Sequence, residues 1–391
     1  MTNLKFSLTI LLAFFQSVLY SQEVKIKVLD SENLAPIAYA HILFDHKEGA
    51  ITNSDGVFVA NLKTSKNIVI SHISYESKEI TMTSINSSKP ILLDSKSNDL
   101  EEVVMYSMDN IFKNISKGLK TNYDSGALDE LMFFRLSLMK NKTEGQLSEG
   151  YIQVQRAKYF DRSKDKKNTI QLISNRKINT LKSVGFQYYS YQKIIELSES
   201  FINLNNEYYT FDYNKIDDDL LKIEFKPTEG IESKEVVYTG YLLINIDDYS
   251  LVDFQYSIAE VFKKHLSKKE IGKHLLKKDV NASKLVKWIK DSETETYRLS
   301  FLRIKDELAI EDSKTNTVDH YIATYELYNV GSTEDYLKID AKKRKTNFKK
   351  NVFEYSNFNV SDTTLDHIRP ILRNKEQNSN LMILKNRPTT P

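Results

Sequence analysis

The sequence predicts a mainly β protein: a small N-terminal β-sandwich, then a helix, then a large antiparallel sheet with inserted helices. Three observations predict it. Apolar and polar residues alternate with period two in one run after another. Tyr 23 and Phe 19 are plentiful while Gly 11 and Pro 6 are scarce in 391 residues, a balance that suits half-buried pleated surfaces. Turn residues recur about every ten positions through the first hundred residues, the spacing of a sandwich of short strands.

Ahead of the sandwich, Lys5 precedes the apolar run "FSLTILLAFFQSVL", which ends at "YSQ" and gives way to charged, alternating sequence. This is the layout of a secretory signal over residues 1–21, with cleavage expected after Ser21, and the run is shorter than the roughly 20 residues a spanning helix needs. No later stretch is apolar for long enough to span a membrane. Cysteine is absent, so a lipoprotein anchor, disulfides, Cys-based zinc and thiol catalysis are not expected. The mature chain is expected in the periplasm or at the outer membrane. A formal net charge of +2, with both signs interspersed, argues against a nucleic-acid partner.

Residues 22–104 read as the sandwich. In "VKIKV", Val24, Ile26 and Val28 share one face and Lys25 and Lys27 the other. A strand carrying Ala38, Ala40 and Ile42 follows Pro36, then the turn "HKEGAITNSDG", then the strands "VFVANL" and "NIVISHISYESKEITM". In "NSDG", Asn53, Ser54 and Asp55 bond their own backbone and Gly56 supplies a positive φ, which makes a hairpin turn. A calcium loop needs about six oxygen ligands, and Asp55 with Asp45 offers two carboxylates.

In order, "PIAYAHILF", "AITNSDGVFVANL", "IVISHISYESKEI" and "LEEVVM" resemble the carboxypeptidase-like regulatory domain, an accessory module at the N-terminus of secreted and outer-membrane proteins of Bacteroidetes type. The resemblance covers residues 23 to 104 and implies a seven-stranded, transthyretin-like sandwich without peptidase chemistry of its own. Ser74-Tyr75 stands where that family usually has Gly-Tyr. A full TonB-dependent receptor is not expected, because such a receptor continues into a plug and a long barrel.

Residues 105–122 read as a linking helix: Ile111, Ile115 and Leu119 recur every four residues, with Ser107 or Asp109 placed to cap it. From 123 to 366 the pattern is a meander. "LLKIEFKP", "VVYTGYLLINI", "LVDFQYSI", "ETYRLSFLRI" and "HYIATYELYNV" each present one apolar face, and antiparallel neighbours with one covered side satisfy them. The order of the helix, "KTNY", "MFFRLSL" and "EGYIQVQ" also resembles an uncharacterised domain that follows the regulatory module in flavobacterial secreted proteins. Phe134 and Arg135 align there with a Tyr-Arg pair, and the resemblance supplies no catalytic residue. Residues 367–391 are polar and aperiodic and are expected to be partly disordered.

Motifs for chemistry are missing. The histidines His41, His46, His72, His265, His274, His320 and His367 form no HExxH or H-x-x-E pattern. No G-x-S-x-G, P-loop or dinucleotide turn occurs, and Asp217, Asp218 and Asp219 sit where a solvated turn is expected. No catalytic, cofactor or metal residue is therefore nominated, and no cofactor is expected.

One stretch, residues 262 to 290, is basic. Phe262, Leu266, Leu275, Leu276, Leu285 and Trp288 give it an apolar component, and one or two amphipathic helices are expected. Such a helix either lies on an anionic membrane or covers the sheet with its lysines in water; Asp279 and Asn281 interrupt the pattern and favour the cover, with Trp288 in the core. Lys263, Lys264, Lys268, Lys269, Lys277 and Lys278, with Trp288, are the candidate membrane or partner surface. The expected function is non-enzymatic: a binding or scaffold protein associated with the outer membrane, holding an apolar ligand or a protein partner. The runner-up is a glycan-directed extracellular hydrolase with two carboxylates brought together from separate strands.

Overall fold

The computed structural model describes residues 23–332, except 46, 62–65, 87, 97–106, 124–127, 143, 157–158, 161–168, 180, 182–188, 206, 232–235, 267 and 292–293, together with 358–359. The expected signal segment, "LEEVVM" and the tail after 366 lie outside the described residues, as do His46 and His367. The chain divides into two compact units, with the division between residues 96 and 97.

The first unit is a sandwich of two small sheets. The strands β1 (Glu23–Asp30), β4 (Val57–Asn61) and β7 (Ile91–Leu93) form one, and β2 (His41–Phe44), β3 (Lys47–Ile51), β5 (Asn67–His72) and β6 (Tyr75–Thr81) the other. Ile26, Val28, Ile42, Phe58, Ile68, Ile70 and Leu93 fill the space between. Two expectations change. The stretch read as a long turn contains β3, hidden by its charged "KEG", and "NIVISHISYESKEITM" is two strands because the chain reverses between His72 and Tyr75.

"NSDG" is a turn, as expected, but it joins β3 of one sheet to β4 of the other and is not the tip of a hairpin. Asn53 Oδ1 accepts from the N–H groups of Asp55 and Val57, both at 3.0 Å. Gly56 has φ 71°, and a Cβ there would stand 2.5 Å from the Val28 carbonyl oxygen, so only glycine fits without strain.

The second unit is a helix-covered antiparallel sheet. Its main path runs β11 (Tyr209–Asp217), β12 (Leu220–Pro227), β13 (Tyr238–Asn245), β14 (Leu251–Ile258), β16 (Leu275–Lys290), β17 (Tyr297–Asp312), β18 (Thr317–Ser332), β8 (Leu128–Lys140), β9 (Glu144–Arg156), β10 (Thr169–Asn179) and β19 (Phe358–Asn359); β15 (Lys268–Glu270) pairs with β16. Helices α1 (Met108–Thr121) and α2 (Tyr191–Ser198) cover one face. α1 buries Ile111 and Ile115, the spacing the sequence predicts. Its C-terminal end is tied down by Asn122, whose Nδ2 donates to the Asp248 carbonyl at 2.7 Å and to Ser250 Oγ at 2.9 Å.

Directly opposed residues of antiparallel strands share a face, so the register reads out both sides of the sheet. On the helix face one row runs Ile223, Leu242, Phe254, Val286, Leu302, Leu327, Phe134 from β12 to β8. On the opposite face the neighbouring row runs Arg303, Glu326, Arg135, Glu149, Arg176 from β17 to β10. Phe134 and Arg135, adjacent in sequence, thus serve opposite sides. Arg135 lies 3.3 Å from Glu149 and 3.7 Å from Glu326.

The expected helices in 262–290 are corrected. A short 3-10 helix covers Glu260–His265, and the rest is the β15–β16 ribbon. The reason is that β16 buries Lys284 on the helix face and Lys287 on the other, so its polar residues do not mark a solvent side.

Candidate functional site

The expected surface lysines are only partly brought together. Lys268 stands opposite Lys278, and Lys269 opposite Lys277, so like charges face each other on both sides of the ribbon. Asp279 lies 3.1 Å from Lys277. Beside the ribbon is an open cleft of about 430 Å³ lined by residues that include Glu270, Lys273, His274, Glu311, Asp312 and Thr317, of mixed charge. Lys263 belongs to the 3-10 helix and pairs with Glu260 at 2.5 Å; the side chain of Lys264 lies outside the described ones. Trp288 is 2% exposed and belongs to the core, as expected.

The unusual chemistry lies on the helix face, where charge sits among rings. Lys284 is 3% exposed. Its Nζ donates to the carbonyls of Leu197, at 2.8 Å, and Ser200, and lies 3.2 Å from Ser200 Oγ. It also stands 5.4 Å from the ring centre of Tyr256, 5.8 Å from that of Phe254 and 5.9 Å from that of Phe201, within cation–π range. Among the described residues no carboxylate pairs with it. Burial pulls the ammonium down to about 7, because a charge moved out of water favours its neutral form. The partner carbonyls are those at the C-terminal end of α2, where a helix carries partial negative charge.

Nearby, Arg156 is 1% exposed. Its Nε lies 2.9 Å from Glu130 Oε2 and its other arm meets Glu199; its guanidinium stacks 4.2 Å above the Tyr159 ring. Glu130 also accepts from Tyr159 Oη and from Asn329 Nδ2 at 2.9 Å, and Glu199 accepts from the Phe160 N–H at 2.8 Å. Burial still raises the Glu199 carboxyl above its usual range, against the pull of Arg156. Between the two cations lies an aromatic wall: Phe201 stacks on Phe160 at 5.5 Å and lies 5.5 Å from Phe254 and 5.9 Å from Trp288.

None of Arg156, Glu199 or Lys284 was nominated from sequence, where each reads as a solvated charge. One signal was available for Lys284. In "KLVKW", Lys284, Val286 and Trp288 alternate, so a strand carrying Trp288 inward carries Lys284 inward too.

Further along the same face Asp306 is pushed up by burial, accepts from the Tyr189 hydroxyl, and feels Asp279 of the next strand. Among the described residues no group of three or more His, Asp or Glu is placed to hold a metal ion.

The fold and site define a mainly β protein with an N-terminal sandwich and a helix-covered sheet. Residues 26–105 match the model of the CarboxypepD_reg-like domain, as the motif order in the sequence implies. No curated protein matches the chain. Two solved structures are similar to it. The LolA superfamily protein NE2245 from Nitrosomonas europaea shares 10% identity over 59% of this chain and 98% of its own, with a TM-score of 0.19. MucB in complex with MucA(peri) shares 5% identity over 56% and 94%, with a TM-score of 0.20.

Proposed function

We propose that the chain is a non-enzymatic binding protein, exported to the periplasm or the outer membrane, whose large sheet holds an apolar ligand or a segment of a protein partner. The observation that carries this reading is the aromatic wall of Phe160, Phe201, Phe254 and Trp288 on the helix face, with buried Arg156 and Lys284 beside it. A wall of rings with a few fixed polar groups is the usual make-up of a ligand site. Export is supported by the apolar run after Lys5, and an accessory role by the CarboxypepD_reg-like match. No described helix is long and apolar enough to cross a membrane. The opposed lysines of the ribbon would gain from an anionic surface or partner, which gives the protein a second contact.

The test is native mass spectrometry of protein purified from a periplasm, with organic extraction of whatever is bound. A stoichiometric apolar species supports the reading. A clean apo mass, together with no binding of apolar probes, sets it aside.

A glycan-directed hydrolase is favoured by one observation: Asp306, in a setting that raises its carboxyl, has Asp279 on the adjacent strand. A carboxyl raised by burial with a second carboxylate on the neighbouring strand is a feature such chemistry uses. Under this reading the protein cleaves members of a glycan panel and Asp306→Asn abolishes the cleavage; wild-type inactivity on the panel removes it.

A further inference from the structure

The three residues after α2 are gripped one at a time. Glu199 is held by Arg156 and by the Phe160 N–H. Ser200 is held through its carbonyl by Lys284. Phe201 is held between Phe160, Phe254 and Trp288. A carboxylate, a hydrogen-bond acceptor and an apolar ring are thus each met by a separate group of the sheet and its connections.

This occupant leaves the pocket incompletely satisfied. Among the described residues, Arg156 Nη2 and Trp288 Nε1 are buried donors with no acceptor, on residues 1% and 2% exposed. Buried donors are nearly always matched, so an orphan calls for an explanation. Glu199 engages Arg156 through NH1 and directs its other oxygen to the Phe160 N–H, which forgoes the two-pronged grip a guanidinium offers a carboxylate. Past Phe201 the chain runs into an open cleft of about 290 Å³ lined by residues that include Ile202, Asn203, Asn205, Tyr208, Val237 and Tyr238, so the pocket adjoins solvent.

We propose that this pocket binds an amphipathic carboxylate, an acyl or aryl chain ending in a carboxylate group, and that Glu199 to Phe201 fill it in the unliganded protein. The inference rests on the apolar-ligand reading above and deepens it. The incoming carboxylate takes both arms of Arg156, its tail takes the place of the Phe201 ring, and Lys284 gives up the Ser200 carbonyl to the freed segment or to the ligand. An uncharged analogue of the same length would displace Glu199 and return nothing to Arg156.

The test uses the full chain, the double variant Glu199→Gln/Phe201→Ala, and two probes: the fluorescent fatty acid cis-parinaric acid and its alcohol. The acid is expected to bind the wild type, to bind the variant about tenfold more tightly, and to bind the wild type about tenfold more tightly than the alcohol does, the scale of one charge-assisted contact. Trp288, the single tryptophan, is expected to change emission when the acid enters, because Phe201 leaves its ring. This second measurement decides the matter on the wild type if the variant does not fold. Acid and alcohol binding equally overturns the carboxylate site and leaves the apolar reading standing. Acid binding no better to a folded variant, or with Trp288 unchanged, removes the displaced segment. No binding of either probe to either protein removes both.

Discussion

Replacing Arg156 by methionine isolates what the buried charge centre contributes. The guanidinium is fully buried and two carboxylates depend on it, Glu130 at 2.9 Å and Glu199, with side chains 6% and 16% exposed. Removing one partner of a buried pair costs about 3–5 kcal/mol, because the other charge stays behind. Here the survivors keep some support: Glu130 retains Tyr159 and Asn329, and Glu199 retains the Phe160 N–H. The lower end, about 3 kcal/mol at pH 7, is therefore expected. The pH dependence has a definite sign. Burial already raises the Glu199 carboxyl and Arg156 pulls it back, so without Arg156 it titrates higher still in the folded protein, and the folded state binds more protons and gains stability as pH falls. The deficit should shrink between pH 7 and pH 5, by up to about 1.4 kcal/mol per pH unit as Glu199 takes up a proton. Urea unfolding followed by Trp288 emission at both pH values measures it. A loss under about 1 kcal/mol at pH 7, or one undiminished at pH 5, would refute the reasoning.

Other substitutions probe separate features. Gly56→Ala places a Cβ 2.5 Å from the Val28 oxygen at φ 71° and should cost the N-terminal sandwich about 1–3 kcal/mol, seen by calorimetry of the full chain as one transition moving down. Lys284 has its folded pKa lowered to about 7, so its cost to stability is full below pH 7 and lifts as pH rises towards its unfolded value. Wild-type stability relative to Lys284→Met should therefore rise between pH 7 and 9, and a flat difference in urea titrations would contradict this. Lys287→Met strands Asp253, its partner at 2.7 Å with both side chains buried, and should cost about 3 kcal/mol. The double variant Asp253→Leu/Lys287→Met should recover part of that loss, and a double-mutant cycle in urea reads the coupling.

Strands with one polar and one apolar side were legible in the sequence, and so was α1. β12, β14 and β18 announce themselves by alternation, and α1 by Ile111 and Ile115. Legibility failed where burial does not follow polarity. β16 buries Lys284 and Lys287, each with partners that a linear pattern does not show, so a strand resembled an interrupted amphipathic helix. β10 carries a bulge between Leu172 and Ser174 that breaks its alternation. The candidate pocket was out of reach for the same reason. Arg156, Glu199 and Lys284 come from distant parts of the chain, and their value lies in one another's company, which composition and spacing do not encode.

The neighbour relations of β8 also set the order in which this sheet can be completed. β9 and β10 follow β8 directly, yet its other edge is closed by β18, with Tyr321 opposite Lys140. A chain emerging from its N-terminus therefore carries a long, apolar, half-finished sheet until nearly all of the second unit has been made. Such non-local pairing is slow to form, and an unpaired edge invites other chains. The alternating charges on the far side of that edge work against a wrong closure. A strand that arrives one residue out of step sends Arg135 and Glu326 to opposite faces, so the strand that closes the edge of β8 meets a lock that accepts one alignment.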